Sequence, residues 1–291
     1  MRKYWHLSAG KMKVLSFGLL IFSVLAVNAH AQGILGTAGS FGALGEAGVT
    51  NTGSSVINGS VAGSTGTPAV TGFPPGTVVA PGVLSLAGIG SGGAGTPFGD
   101  ATNAFNTLAA LSSTNLGGVV QLGGATLNAG VYSVGAALLT GKLTLNFAGP
   151  NETIVIDIAS TLTTASGPGK ASVVLEGNDS TASVYWVVGS STQIGTYTSF
   201  DGNIISSALV AMQTDATDPC GSVISLNAAV TLDTNTTSTG CSSYTSGGSL
   251  TPGTGTGYTN LPEGSSPWLY LCFSLLPIGW AFRFRRSRRS I

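Results

Sequence analysis

The hydrophobic pattern changes period along the chain. In GDATNAFNTLAALSS, residues 99–113, Ala101, Ala104, Phe105, Leu108 and Leu111 fall at i, i+3, i+4, i+7 and i+10. That spacing makes one apolar stripe and predicts an amphipathic helix, with Asp100 as its N-cap. From Leu138 onward the pattern shortens to β-runs separated by Gly, Ser, Asn and Asp. They are KLTLNF (142–147), TIVIDI (153–158), SVVLEG (172–177), VYWVVG (184–189), NIISSALVAM (203–212) and SVISLNAAVTL (222–232). Apolar landmarks recur: Val184, Ile204 and Val223 are 20 and 19 apart, and Ile194, Met212 and Leu232 are 18 and 20 apart. A strand-rich period near 20 predicts a β-solenoid, in which each coil buries its inward residues by stacking on its neighbours. A β-sandwich, with short strands every 8–12 residues, is the alternative. The recurring period and the small, Gly-rich corners favour the solenoid.

The two ends differ from this body. Residues 1–31 read as a secretory signal: Arg2, Lys3, Lys11 and Lys13 precede the apolar run 14–27, and Ala29-His30-Ala31 offers a small-x-small cleavage site. Residues 242–260 form a Gly/Ser/Thr linker. Residues 261–291 combine the motif LPEGSSPW, an apolar run and five arginines, which resembles a bacterial C-terminal sorting signal. The arginines would stay cytoplasmic by the positive-inside tendency. The remaining span, 32–241, is expected to be one solenoid domain of an exported protein, secreted or held at the cell surface.

The formal charge of zero conceals an acidic body. Between Gln32 and Leu261 only Lys142 and Lys170 are basic, against ten acids, a net charge of about −8. That excludes a nucleic-acid partner, which needs basic patches to neutralise phosphates. The only histidines, His6 and His30, fall in the leader. A mature chain without histidine has no Ser-His-Asp or Cys-His centre and no usual catalytic zinc site. Asp157, Glu176, Asp201 and Asp215 could supply a glycosidase carboxylate pair, but solvated turns explain them more simply. Asp215 and Asp218 beside Pro219 read as a turn rather than a calcium site. Gly88, Gly90 and Gly93 spell G-x-G-x-x-G in a glycine-rich loop with no βαβ unit around it. No metal and no cofactor are expected. Cys220 and Cys241, 21 apart, lie about one coil apart, a separation that a disulfide accepts.

Residues 49–76, VTNTGSSVINGSVAGSTGTPAVTGFPPG, resemble the N-terminal signature of the microbial β-solenoid ice-binding proteins. Thr50, Thr52, Gly53, Ser55, Ile57, Gly59, Gly63, Thr71, Gly72 and Phe73 stand where that pattern wants them. Ser60 replaces the usual Asp, with one extra residue before Gly63. LGTAGSFGAL (35–44) is similar to the family's opening, and the resemblance runs to about Thr239. It implies an all-β-dominated fold: a discontinuous right-handed parallel β-helix with one long α-helix packed alongside. In that fold the N-terminal segment supplies coils at one end, and the helix crosses over before the remaining coils.

The resemblance also aligns residues 161–166, 190–196, 209–214 and 229–234 with the family's ice-facing strands. Leu162, Ile194, Val210, Met212, Val230 and Leu232 should then point inward. The outward, ice-contacting set is Thr161, Thr163, Ser191, Gln193, Ala211, Gln213, Thr231 and Asp233. Alternation and stacking would arrange it as a grid, about 6.6–7 Å along a strand and about 4.8 Å between coils. The implied protein is a monomeric, non-enzymatic antifreeze that binds ice crystal surfaces and inhibits recrystallisation. A surface adhesion module for a polysaccharide or another cell is the competing function, and the C-terminal tail suits an envelope location under either. Exposed rings on the face would favour sugar, and a charge-free row of Thr and Ala would favour ice.

Overall fold

The computed structural model describes residues 33–240 apart from Ala94. The expected leader, linker, C-terminal tail and Cys241 lie outside these residues. A 3-10 turn at Gly36–Ser40 leads into β1 (Phe41–Gly45), β2 (Gly48–Thr52), β3 (Val56–Asn58), β4 (Ser60–Gly63), β5 (Val70–Thr71), β6 (Thr77–Val79) and β7 (Leu84–Ser85). Helix α1 (Pro97–Ala109) follows, then β8 (Thr114–Gln121), β9 (Thr126–Asn128), β10 (Gly130–Leu139) and β11 (Gly141–Phe147). Next come β12 (Thr153–Ile158), β13 (Leu162–Thr164), β14 (Ala171–Gly177), β15 (Ser183–Val188) and β16 (Thr192–Ile194). The last are β17 (Asn203–Ser206), β18 (Val210–Met212), β19 (Thr217–Asp218), β20 (Val223–Ser225), β21 (Ala229–Asp233) and β22 (Thr236–Ser238). No described helix is long and apolar enough to cross a membrane.

The strand pairs among the described residues are parallel. They build a three-faced solenoid, not a sandwich. The first face stacks the start of β10, then β12, β15, β17, β20, β1, β4 and β7. The second stacks the end of β10, then β13, β16, β18, β21, β2 and β5, and β8 lies against β10 along both. The third carries β9, β11 and β14 at one end and β19, β22, β3 and β6 at the other. Sequence order is broken once. β20, β21 and β22 dock on β1, β2 and β3, so the N-terminal coils end the stack that the C-terminal coils began. This is the discontinuous solenoid that the resemblance implied.

The helix explains why the first face is apolar on both sides. Ile154, Ile156, Trp186, Ile204 and Val223 point into the solenoid core. Their neighbours Val155, Tyr185, Val187, Ile205 and Ile224 point the other way and meet Phe98, Ala101, Ala104 and Leu108 of α1 in a second core. A strand buried on both sides needs a continuous apolar run, and SVYWVV is buried at every position. The helix starts earlier than its stripe suggested. Pro97 is in the first turn and Thr96 is the N-cap, its Oγ1 accepting from Gly99 N at 3.2 Å. Asp100, the expected cap, instead pins the helix to the 3-10 turn: its Oδ2 accepts from Thr37 N at 2.9 Å and from Thr37 Oγ1 at 2.6 Å.

Two of the runs bend. Residues 203–212 form β17 and β18, and residues 222–232 hold β20 and most of β21, each pair belonging to two faces. Ile204 stacks on Val223, and Ile194 on Met212, as the period requires, but the residue that stacks on Ile204 in the preceding coil is Trp186 rather than Val184.

The corner between the second and third faces uses left-handed backbone in successive coils. Tyr197, Asp215 and Thr234 have φ of 59°, 59° and 54°, and Gly53 has φ of 76°. Each hands its N–H to the next coil: Tyr197 N to Thr214 O, Asp215 N to Asp233 O and Thr234 N to Thr52 O. A Cβ on Gly53 would stand 2.2 Å from Thr234 Oγ1. Gly53→Ala is therefore expected to cost about 1–3 kcal/mol, strain plus displaced hydroxyl, read as a lower unfolding midpoint. An unchanged midpoint would mean that the corner relaxes freely.

Asp218 is fully buried. Its Oδ1 accepts from Gly202 N and Cys220 N, whereas its Oδ2 has no hydrogen-bond partner among the described residues. Burial, and secondarily the neighbouring Asp201 charge, push its carboxyl well above the usual carboxylate range against the two N–H contacts. A raised folded value gives stability that is complete below the unfolded value of about 3.8 and is lost as pH rises through the folded value. Burial raises Asp157 in the same direction. Asp218→Asn keeps the Oδ1 acceptor and removes the ionisable group. The variant should match the parent near pH 4 and melt a few degrees higher by pH 8, at roughly 2–4 °C per kcal/mol. A parent midpoint that held constant while the variant's fell would remove Asp218 as the source.

Candidate functional site

The helix packs on the first face and leaves the second and third open; the third is split into two sheets and carries the Lys142–Glu176 ion pair, whereas the second is one continuous stack. Its inward residues are those expected: Leu162, Ile194, Val210, Met212, Val230 and Leu232 are at most 3% exposed. Alternation then sends the residues between them outward. Of the expected outward set, Gln193 is exposed, and Thr161, Thr163, Ser191, Ala211, Gln213, Thr231 and Asp233 are half-buried; none is buried.

Register joins one residue from each coil into an unbroken ladder. Gln121 pairs with Leu138, Leu138 with Thr163, Thr163 with Gln193, Gln193 with Ala211 and Ala211 with Thr231. The ladder does not stop at the C-terminal coils: Thr231 pairs with Thr50, and Thr50 with Thr71. Parallel pairing spaces the rungs about 4.8 Å apart. Thr161 and Ser191 lie one position short of the paired Leu162 and Thr192, on a second column. Asp233 pairs with Thr52 on a third. Thr50, Thr52 and Thr71 were not placed on this face from sequence. The T-x-T beginning at Thr50 was the available signal, but its partner Thr231 lies far away along the chain.

The polar groups of the face divide into two sets. Those at its edge are engaged: Asp233 accepts from Thr214 Oγ1 and Thr234 Oγ1, and Gln213 Oε1 accepts from Ser166 Oγ at 3.0 Å. The Asp233 carboxylate is thus held in the corner by hydroxyls rather than standing in the grid as an isolated charge. By contrast, the hydroxyls of Thr50, Thr52, Thr71, Thr163 and Thr231 make no hydrogen bond to another described residue. They face solvent with one methyl each, a surface able to hold ordered water without a charge to disturb it.

The acids considered for catalysis do not form a paired centre. Asp157 lies on the helix-covered face, Glu176 meets Lys142 at 3.4 Å, and Asp215 occupies the left-handed corner. Asp201 neighbours the buried Asp218. Among the described residues no group of three or more His, Cys, Asp or Glu could hold a metal ion, Asp215 and Asp218 included. Gly88, Gly90 and Gly93 sit in a loop before α1. Trp186 is inward and fully buried. Tyr197, 49% exposed, stands in the corner, off the ladder.

The family model described as ice-binding-like matches residues 43–238. The chain is 39% identical over 228 residues to an ice-binding protein of Nostoc sp. (strain HG1), covering 77% of this chain and 81% of that protein. Among solved structures it is similar to the ice-binding protein of the Antarctic ascomycete Antarctomyces psychrotrophicus, with 36% identity and a TM-score of 0.61 over 72% of this chain and 98% of that one. It is also similar to an ice-binding protein from an Antarctic biological consortium, with 34% identity and a TM-score of 0.59 over 70% of this chain and 89% of that one.

Proposed function

The chain belongs to the ice-binding-like family, and on that premise we propose that it is a non-enzymatic protein that adsorbs to ice through the second face of its solenoid and slows ice growth and recrystallisation. One observation carries the assignment of the face: an unbroken, uncharged ladder from Gln121 to Thr71 on the strands that the helix does not cover. Each rung contributes weakly, and a rigid sheet presents all of them at little ordering cost. The adhesion alternative has less to support it, since no aromatic ring occupies the ladder and the similar proteins are ice-binding proteins.

The same proposal extends to the chain's location. Cleavage after Ala31, the linker and the arginine-ended tail suit a monomer that is exported and retained at the envelope. We assign Cys220 to a disulfide with Cys241, one residue past the described span. The bridge would close the C-terminal coil against the strands docked on it. Ice shaping and recrystallisation assays on the purified protein test the function. A protein that leaves crystals growing as unfaceted discs, at concentrations where it is folded, would end the ice assignment.

A further inference from the structure

The eight rungs of the ladder are not equivalent. Toward the β8 end it carries Gln121 and Leu138, beside Val119 of the neighbouring column. Leu138 and Val119 are 41% and 73% exposed, and the Gln121 amide oxygen accepts from Gly123 N and Thr140 N. Exposed Gln193 and half-buried Ala211 follow. At the opposite end three successive rungs are threonine: Thr231, Thr50 and Thr71. Thr52 stands beside Thr50 at the i+2 position, about 6.6–7 Å away.

Resting on the ice-binding assignment, we propose that adsorption is anchored on this cluster of four threonines, Thr231, Thr50, Thr52 and Thr71, which straddles the junction between the C-terminal and N-terminal coils. Three observations support the placement. Thr50, Thr52 and Thr71 are exposed, whereas Thr161 and Thr163 in the C-terminal coils are half-buried. All four hydroxyls, like that of Thr163, are free of other described residues, while the inward, buried threonines of the C-terminal coils are engaged internally: Thr164 with Thr198 at 2.9 Å, and Thr192 with Ser206 at 2.7 Å. The cluster also stands on a fixed base. Between Thr50 and Thr52, the buried Asn51 donates from Nδ2 to Gly53 O and to Gly72 O, each at 2.9 Å, tying its own strand to the next coil.

The placement has a structural consequence. Thr231 is separated from Thr50 and Thr71 by almost the whole domain, so the cluster exists only when the N-terminal coils dock on β20, β21 and β22. The aliphatic end of the ladder extends the flat area but does not supply the anchor.

Thr50→Tyr and Thr163→Tyr, made in the full chain, test this. Both sites are on the ladder, so each ring makes a comparable step on the face, about four rungs apart. With unfolding midpoints equal to the parent's, Thr50→Tyr is expected to lose at least about tenfold in ice adsorption, and Thr163→Tyr no more than about twofold. Thr71→Tyr, on the outermost rung, should repeat the Thr50 result and serves where Thr50→Tyr folds poorly. Equal losses at Thr50 and Thr163, or retention above half at both Thr50 and Thr71, would overturn the placement while leaving the ice assignment intact. A parent that fails to adsorb overturns the assignment itself and the anchor with it.

Discussion

Trp186→Ala is expected to destabilise the domain by about 3–5 kcal/mol and to lower its unfolding midpoint by roughly 6–20 °C, at 2–4 °C per kcal/mol for a domain of this size. Trp186 is fully buried. It stacks between Ile156 of one coil and Ile204 of the next, its ring lies 4.9 Å from that of Phe200 at 45°, and its Nε1 donates to Asp201 O at 3.1 Å. Truncation leaves a cavity, removes an aromatic pair worth about 0.5–1.5 kcal/mol and strips a carbonyl of its partner. A solenoid amplifies such a loss, because each coil is buried only by its neighbours. Trp186→Phe, which keeps most of the volume, should cost clearly less. Denaturant unfolding of the two variants checks the order, and equal midpoints would show that the core collapses around the missing ring.

What could be read from the sequence follows from which contacts are local. The second face was legible because one side is solvated and the other buried, so its strands alternate: Val210, Ala211 and Met212 read in, out, in. The helix was legible for the same reason, although Thr96 and Pro97 gave its start and Asp100 was engaged elsewhere. The bends inside 203–212 and 222–232 left no signature. Their corners turn without Gly or Pro because small hydroxyls satisfy the backbone, as where Ser225 Oγ donates to Ala208 O at 2.8 Å and accepts from Ala228 N at 3.1 Å. The eight-residue outward set does share one face of the solenoid, but it stopped at Asp233. The next rungs, Thr50 and Thr71, belong to strands whose register is fixed by long-range docking of β2 on β21, and no local pattern encodes that contact. The Thr214 and Thr234 hydroxyls that hold the Asp233 carboxylate in the corner are likewise visible only in three dimensions.

Ala211→Tyr should abolish ice shaping while Ala211→Thr preserves it, both at the parent's unfolding midpoint. Ala211 lies between Gln193 and Thr231 on the ladder, one rung from the threonine cluster. Its side chain is outward and half-buried, so neither replacement enters the core. A tyrosine ring would rise several ångströms above the flanking methyls. Because the sheet beneath is rigid, the adjoining rungs would be held away from the ice with it, Gln193 on one side and, on the other, Thr231 at the edge of the threonine cluster. Many weak contacts are then lost at once, which is why one substitution on a preorganised surface has a large effect. Threonine adds a hydroxyl and keeps the methyl height, extending the Thr231–Thr50–Thr71 row by one rung. Measured thermal hysteresis separates flatness from hydroxyl identity: loss with tyrosine alone assigns the effect to shape, and loss with both variants would mean that the small size of Ala211 itself is required. A tyrosine variant as active as the parent would remove the second face as the ice contact.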